Sequence, residues 1–285
     1  MGSTDDGRVA IVTGAVSGIG EAIARHLVGR GWRVAAFDIQ DDLGKTITDD
    51  LGASFYYIHC DVRSYEDQAA AFQKTFDKFG KIDALCHNAG LIDQYSVYRF
   101  DYRGKKGVPP KPNLNSTETC YHGLIYGTQL AVHFMRQNPI PGGTIVATGS
   151  SVGIHPIGSM PEYCGAKAAI NNYVRATAPI LKLKEKIRIN CVNPGIVATR
   201  NIPEVMRVSF DGYVTPVETI VAGYDRALND QSLNGELLEC SLDRIHLLPV
   251  PPYSDGDVLK KTTSVYDGLF IALHGERSGL PEAVQ

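Results

Sequence analysis

The apolar residues of this chain come in short runs, separated by stretches where they recur every three or four positions. Residues 9–12, 32–37, 55–60, 82–86, 144–148 and 187–192 are each mostly apolar, as expected of strands buried on both faces. Between them, residues 21–29, 41–51 and 66–79 read as helices, and Gly80 stops the third. Asn115 followed by Glu118 forms a capping-box pattern that opens a helix running to about residue 137. A further helix starts near Pro161, with Pro179 marking a kink or an early end, and another starts at Thr215-Pro216-Val217-Glu218. Residues 235–241 read as a seventh strand. Strands alternating with helices at this pitch predict an α/β fold: a doubly wound parallel sheet of about seven strands with helices on both faces.

The turns after these strands carry the first candidate chemistry. The first strand runs into Thr13-Gly14-Ala15-Val16-Ser17-Gly18-Ile19-Gly20, and a helix follows at once. A glycine run alone is as easily a tight turn. Set between strand and helix, Gly14, Ser17, Gly18, Ile19 and Gly20 instead suit a phosphate, because the backbone approaches closely and helix N-terminal N–H groups meet the anion. Asp38 ends the second strand, where a carboxylate accepts hydrogen bonds from a ribose 2′-hydroxyl and repels a 2′-phosphate. No Arg or Lys stands at position 17 or 39, so the pattern favours NAD over NADP; a turn aspartate is the plainer alternative. Asp61-Val62 closes the third strand, and Asp61 either meets an adenine amino group or caps the next helix. Asn88-Ala89-Gly90 closes the fourth at the carboxyl edge where ligands of open α/β sheets collect.

From 92 to 115 the periodicity breaks. The stretch holds Tyr95, Tyr98, Phe100 and Tyr102, interleaved with Arg99, Arg103, Lys105 and Lys106, then Pro109, Pro110 and Pro112. A loop this long inside a domain is usually functional or disordered, and the aromatics favour a substrate-side lid or a subunit contact. Residues 1–7 are small and acidic and read as a flexible start, so 8–285 is expected to be one domain with a loop insertion at 92–115 and a substrate-side segment at 200–232.

Composition narrows the function classes. A net charge of -3 with no dense basic stripe gives no support for nucleic-acid binding. No apolar stretch approaches the roughly 18 residues a membrane helix needs, and no secretory signal is evident, so a cytoplasmic protein is expected. The six cysteines are scattered without a C-x-x-C pair, consistent with reduced, buried thiols. No His/Cys/Asp cluster has metal-ligand spacing, so no metal is expected.

Tyr163 and Lys167 are four apart on one predicted helix and share a face. A phenol is a weak base at neutral pH, and a nearby ammonium favours its phenolate form. Such a pair is commonplace alone. Its company changes the reading: Thr13-Gly14-x-x-x-Gly18-Ile19-Gly20, Asp38, Asp61-Val62, Asn88-Ala89-Gly90, Ser150, Tyr163-x-x-x-Lys167 and Asn193-Pro194-Gly195-Ile196-Val197-Ala198-Thr199 occur in this order. With these motifs the chain resembles the short-chain dehydrogenase/reductase family from about Arg8 to Asp243. The resemblance implies a Rossmann-type fold and hydride transfer between a nicotinamide and an alcohol or carbonyl. It assigns Tyr163 as general acid/base, Lys167 to lower its pKa and hold the nicotinamide ribose, and Ser150 to steady the substrate oxygen. Asn88 would line the cofactor ribose, and Ile196 and Thr199, after Pro194-Gly195, would hold the carboxamide. Ser151 remains an alternative to Ser150.

The family pattern is broken at Cys120, where many members place an asparagine that binds a water in the proton relay; Tyr121 or His122 stand nearby as substitutes. His87 replaces a frequent first asparagine. The expected function is NAD-linked oxidation of a hydrophobic secondary alcohol, or reduction of the matching ketone, by a homodimer or homotetramer. NAD-linked hydroxyprostaglandin-type dehydrogenases are the nearest in character. A non-redox cyclase or isomerase with bound NAD is the alternative, and a cofactor-sensing interaction protein is a third.

Overall fold

The computed structural model describes residues 7–197 and 208–285. Its strands are β1 (Val9–Thr13), β2 (Arg33–Asp38), β3 (Phe55–His59), β4 (Ala84–His87), β5 (Gly143–Thr148), β6 (Ile187–Pro194), β7 (Leu237–Ser241) and β8 (Arg244–Leu248). They form one sheet in the order β3-β2-β1-β4-β5-β6-β7-β8, parallel except for β8, which runs antiparallel to β7. The helices are α1 (Gly18–Gly29), α2 (Asp41–Leu51), α3 (Tyr65–Phe79), α4, α5 (Pro161–Ile180), α6 (Val217–Asn229), α7 (Gly256–Thr262) and α8 (Asp267–His274). Helix α4 begins as Asn115–Thr117, widens to a π turn over Glu118–His122 and continues as Gly123–Met135.

Register explains why the central strands are mostly apolar. Ile11 pairs with Ala35 and Leu85, and Leu85 with Ile145, so all four point to one side. There they pack with Phe72, Leu124, Phe134 and Ile170 from α3, α4 and α5. Their neighbours Ala10, Val12, Val34 and Val146 point to the other side, against Ile23 and Leu27 of α1 and Ile220 and Tyr224 of α6. Because the pleat alternates faces and both faces are covered, β1 is apolar from Val9 to Val12, and its one polar residue, the buried Thr13, stands at the carboxyl end. The chain leaves β1 on one side for β2 and β3, then returns on the other as β4, which opens a crevice at the carboxyl ends of β1 and β4.

Several local expectations are corrected. Asn115 does not cap α4: it is the first helical residue, and Asn113 Oδ1 accepts its N–H at 2.8 Å. Thr215 does not cap α6, whose N-cap is Pro216; Thr215 Oγ1 instead accepts the Leu242 N–H at 3.1 Å. The cap of α3 is Ser64, whose Oγ accepts the Asp67 N–H at 3.0 Å, which removes that role from Asp61. Pro179 does not end α5, which runs to Ile180 and passes into a π turn over Leu181–Glu185. The eighth strand escapes sequence patterning because its hairpin turns through Leu242 at φ 51°, without the glycine or asparagine such turns favour. Of the segment 200–232, residues 200–207 lie outside the described residues, and Val217–Asn229 forms helix α6, packed on the sheet through Ile220 and Tyr224.

A cation within the sheet ties β6 to α6. Arg188 is buried, donating from Nη1 to the carbonyls of Ala227 (3.0 Å) and Leu233 (2.9 Å), and from Nη2 to Leu228 O (2.8 Å) and Thr144 Oγ1 (3.1 Å). Burial lowers its pKa, while the carbonyls at the C-terminal end of α6 complement its charge.

A second tie holds the π turn of α4. His87 is buried at the end of β4, and its Nε2 lies 3.2 Å from Cys120 O. A carbonyl only accepts, so Nε2 carries the proton and Nδ1 faces Thr13 Oγ1 at 3.5 Å as acceptor. Thr13 Oγ1 in turn accepts the N–H groups of Asn88 and Ala89, each at 3.0 Å. Burial, reinforced by the Lys167 charge, pushes the His87 pKa down to about 4.

Two outcomes are expected. Arg188→Met leaves three carbonyls and a hydroxyl without their donor and should lower the unfolding free energy by about 3 kcal/mol; an unchanged urea midpoint would refute the tie. His87 binds its proton only near pH 4 when folded but near 6.5 when unfolded, so its contribution is complete above pH 6.5 and is lost as pH falls toward 4. Urea unfolding at pH 7 and pH 5 should show the wild type losing about 2 kcal/mol more than His87→Asn. Equal losses would mean that the imidazole is not held neutral.

Candidate active site

The carboxyl ends of β1 to β5 border a cleft of about 440 Å³. Gly14, Ser17, Gly18, Ile19, Asp38, Asp61, Val62, Asn88, Ala89, Gly90, Tyr163 and Lys167 all line it. Gly20 lies beneath it in the first turn of α1, where a Cβ would stand 1.9 Å from Gly14 O; only glycine lets the turn close. Ser150 follows β5, Pro194 ends β6, and Gly195 and Ile196 follow it, outside the cleft wall. Thr199 lies outside the described residues.

At one end of the cleft, Ser17 is the N-cap of α1 but makes no side-chain cap bond, so the orphan N–H groups of the first turn border the opening. Asp38 is buried and preorganised. Its Oδ2 accepts the Val16 N–H at 3.2 Å, and its Oδ1 accepts those of Ile39 (2.8 Å) and Gln40 (3.2 Å). Asp61 faces the same end, held below the usual carboxylate range by hydrogen bonds from Arg63, whose Nε lies 2.9 Å from Oδ1. Arg63 also lines the cleft, and the sequence reading missed it.

At the other end stand Tyr163 and Lys167. Lys167 Nζ lies 5.4 Å from the Tyr163 ring centroid and donates to Thr148 O at 2.7 Å. The lysine is buried, which disfavours its charged form, but the acidic groups Cys120, Tyr163 and Cys191 around it outweigh burial and hold its pKa above the ordinary value. Gly90 presses against this centre: a Cβ there would meet Cys120 Sγ at 3.2 Å and Lys167 Nζ at 3.4 Å. Cys120 therefore does stand beside the lysine. His122, by contrast, is exposed, and Tyr121 packs edge-on against Tyr173.

Supporting contacts fix the remaining groups. Asn88 Nδ2 donates to Thr13 O (3.2 Å), while its Oδ1 accepts from Thr148 Oγ1 (3.2 Å). The Thr148 hydroxyl proton is thereby committed, so the buried Tyr224 hydroxyl is the donor in their 2.5 Å contact. Burial drives the Tyr224 phenol well above its ordinary pKa, which suits a structural role. The Ser150 N–H donates to Asn193 Oδ1 (2.9 Å), and its Oγ accepts the Val152 N–H (3.3 Å). The turn it starts packs closely on α5, since a Cβ on Gly153 would fall 2.7 Å from the Lys167 carbonyl carbon. Thr119, Thr148, Leu91 and Ile92 line the cleft as well and carry no motif that would have marked them.

The donor set fits a dinucleotide: uncapped helix N–H groups for phosphates, a fixed carboxylate at the end of β2, and a buried ammonium at the far end. Among the described residues no group of His, Cys, Asp or Glu could hold a metal ion. No described helix is long and apolar enough to cross a membrane.

Comparison with known proteins agrees with this geometry. The short chain dehydrogenase family model matches residues 8–208. A short-chain dehydrogenase/reductase of Penicillium rubens, prx6, is 43% identical over 297 residues, covering 100% of both chains. A 15-hydroxyprostaglandin dehydrogenase [NAD(+)] of Mus musculus is 28% identical over 84% of this chain and 91% of its own. Zerumbone synthase of Zingiber zerumbet is 33% identical over 68% of this chain and 70% of its own. A glycine turn, a β2 carboxylate and a Tyr-Lys pair gathered at one sheet edge, together with these matches, establish that the chain belongs to the short-chain dehydrogenase family of oxidoreductases.

Proposed function

We propose that the protein oxidises a hydrophobic secondary alcohol with NAD, or reduces the matching ketone, with Tyr163 as general acid/base. The single observation that carries this reading is that Tyr163, Lys167 and the Asp38 carboxylate share one cleft with the glycine turn. Backbone N–H groups at Ser17, Gly18 and Ile19 hold the phosphates, and Asp38 takes the adenosine ribose. Asp61 and Val62 face the adenine; Asn88, Ala89, Gly90 and Lys167 line the nicotinamide side, with Pro194, Gly195 and Ile196 toward the carboxamide. When bound, the nicotinamide supplies the two-electron acceptor for the carbinol hydrogen.

The protein's own part is the proton. Lys167, buried and fixed by Thr148 O, holds its charge 5.4 Å from the centre of the Tyr163 ring. Tyr163 as phenolate accepts the hydroxyl proton of the alcohol, Ser150 steadies the oxygen, and in the reverse direction the phenol returns the proton. The apolar Leu91 and Ile92 in the wall, and the stacked Tyr98–Phe100 pair (5.5 Å) beyond them, support an apolar, ring-bearing substrate. The NAD(+)-linked hydroxyprostaglandin dehydrogenase among the relatives supports the same class and cofactor.

NADH production from 1-phenylethanol, 1-tetralol and 15-hydroxyprostaglandins tests the activity. Tyr163→Phe should lower the rate about 10²–10⁴-fold; near-wild-type turnover removes the assigned role. Asp38→Ala should shift the NAD/NADP affinity ratio toward NADP by about tenfold or more, read by direct titration of both dinucleotides. An unchanged ratio would take Asp38 out of cofactor selection.

A further inference from the structure

The chain between β4 and α4 is fastened to the start of helix α5 by Asp93, a residue to which the chemistry above gives no task. Pro161 opens α5 and has no N–H. The next two N–H groups, of Glu162 and Tyr163, both donate to the Asp93 carboxylate, at 3.2 Å to Oδ2 and 2.7 Å to Oδ1. The N–H of Cys164 reaches Met160 O at 3.0 Å, so the donors of the first turn are fully satisfied. Such caps usually come from the residue just before the helix. Here Met160 offers none, and the carboxylate arrives from 70 positions upstream.

The junction is reciprocal and tied at further points. Glu162 Oε1 accepts the N–H of Thr117 at the start of α4 (2.9 Å), and Ser116 Oγ donates to Leu91 O (2.7 Å). Farther along the loop, the Tyr98 hydroxyl donates to Gly158 O (2.5 Å), just ahead of α5. Leu91 and Ile92, which directly precede Asp93, line the cleft.

The geometry points to Asp93 as a positioning residue for Tyr163: the inserted loop 92–115 carries a carboxylate that fixes the backbone of the reacting tyrosine and so sets the place of its phenol in the cleft. This rests on the acid/base role proposed for Tyr163. A bond to the tyrosine's own N–H restrains the direction of its Cα–Cβ vector. Proton transfer needs the phenol within hydrogen-bond reach of the substrate hydroxyl, and small misplacements lower rates steeply. A cap that only stabilised the helix would leave turnover intact once the variant was folded.

Asp93→Ala and Asp93→Asn in the full chain separate these cases, since Asn keeps an oxygen for the Tyr163 N–H but no charge. Two readouts serve. One is the NMR signal of the Tyr163 phenol carbon in protein labelled with ¹³Cζ-tyrosine, assigned by Tyr163→Phe. The other is kcat and KM for NAD-linked oxidation of 1-phenylethanol. In Asp93→Ala the signal should broaden or split, and kcat should fall about tenfold or more with KM within about threefold. Asp93→Asn should restore a single sharp signal and return kcat to within about threefold of wild type. An unchanged Tyr163 signal in Asp93→Ala overturns the proposal, whatever happens to stability. So does a perturbed signal with kcat unaltered. Should the wild type oxidise none of the test alcohols, the functional reading fails by itself, and the phenol-carbon signal still decides whether Asp93 positions Tyr163.

Discussion

A buried ammonium is among the most expensive groups a protein can hold, since removing such an ion from water costs several kcal/mol unless other groups replace its hydration. Lys167 is that group here. Thr148 O takes one of its hydrogen bonds at the end of β5, and the acidic groups of Cys120, Tyr163 and Cys191 surround it. The consequence reaches the neighbours. Burial and the nearby Lys167 cation hold His87 neutral, and its one proton is committed to the Cys120 carbonyl. The π turn of α4, the end of β4 and the lysine on α5 thus form one electrostatic unit.

That unit is anchored by ordinary sheet packing. Parallel strands covered on both faces give β1, β4 and β5 little freedom to shift, and their carboxyl ends present Thr13, His87 and Thr148 as a fixed row. Side-chain hydrogen bonds join the row to Asn88 and Tyr224. Preorganised polar groups of this kind need no rearrangement when charge develops, which is the condition for efficient proton transfer in a cleft.

The loop between β4 and α4 is attached differently. Its own stack of aromatic and cationic side chains, with Arg103 4.5 Å over Phe100 and Arg99 and Lys105 each 4.5 Å over Tyr102, gives it local order without a core. Asp93 and Tyr98 then bind it to the start of α5, so a surface loop shares hydrogen bonds with the helix that carries Tyr163 and with the turn ahead of it. The same carboxylate suits the positive end of that helix.

The sequence alone determined the parallel strands of the sheet and the motif-bearing groups at their carboxyl ends. Continuous apolar runs admit only strands covered on both faces, and G-x-x-x-G-x-G between strand and helix, Asp38 and the i, i+4 spacing of Tyr163 and Lys167 are local patterns set by backbone geometry. Tertiary structure decided whatever depends on partners distant along the chain. Thr215 serves the β7–β8 turn, Asp93 caps a helix 70 positions away, and β8 forms because β7 offers it an edge. Arg63, Thr119 and Thr148 reach the cleft only through the folding of β3, α4 and β5 around it. The physical reason is that a hydrogen-bonding side chain is satisfied by whichever donor or acceptor folding brings within about 3 Å, and periodicity along the chain contains no record of that.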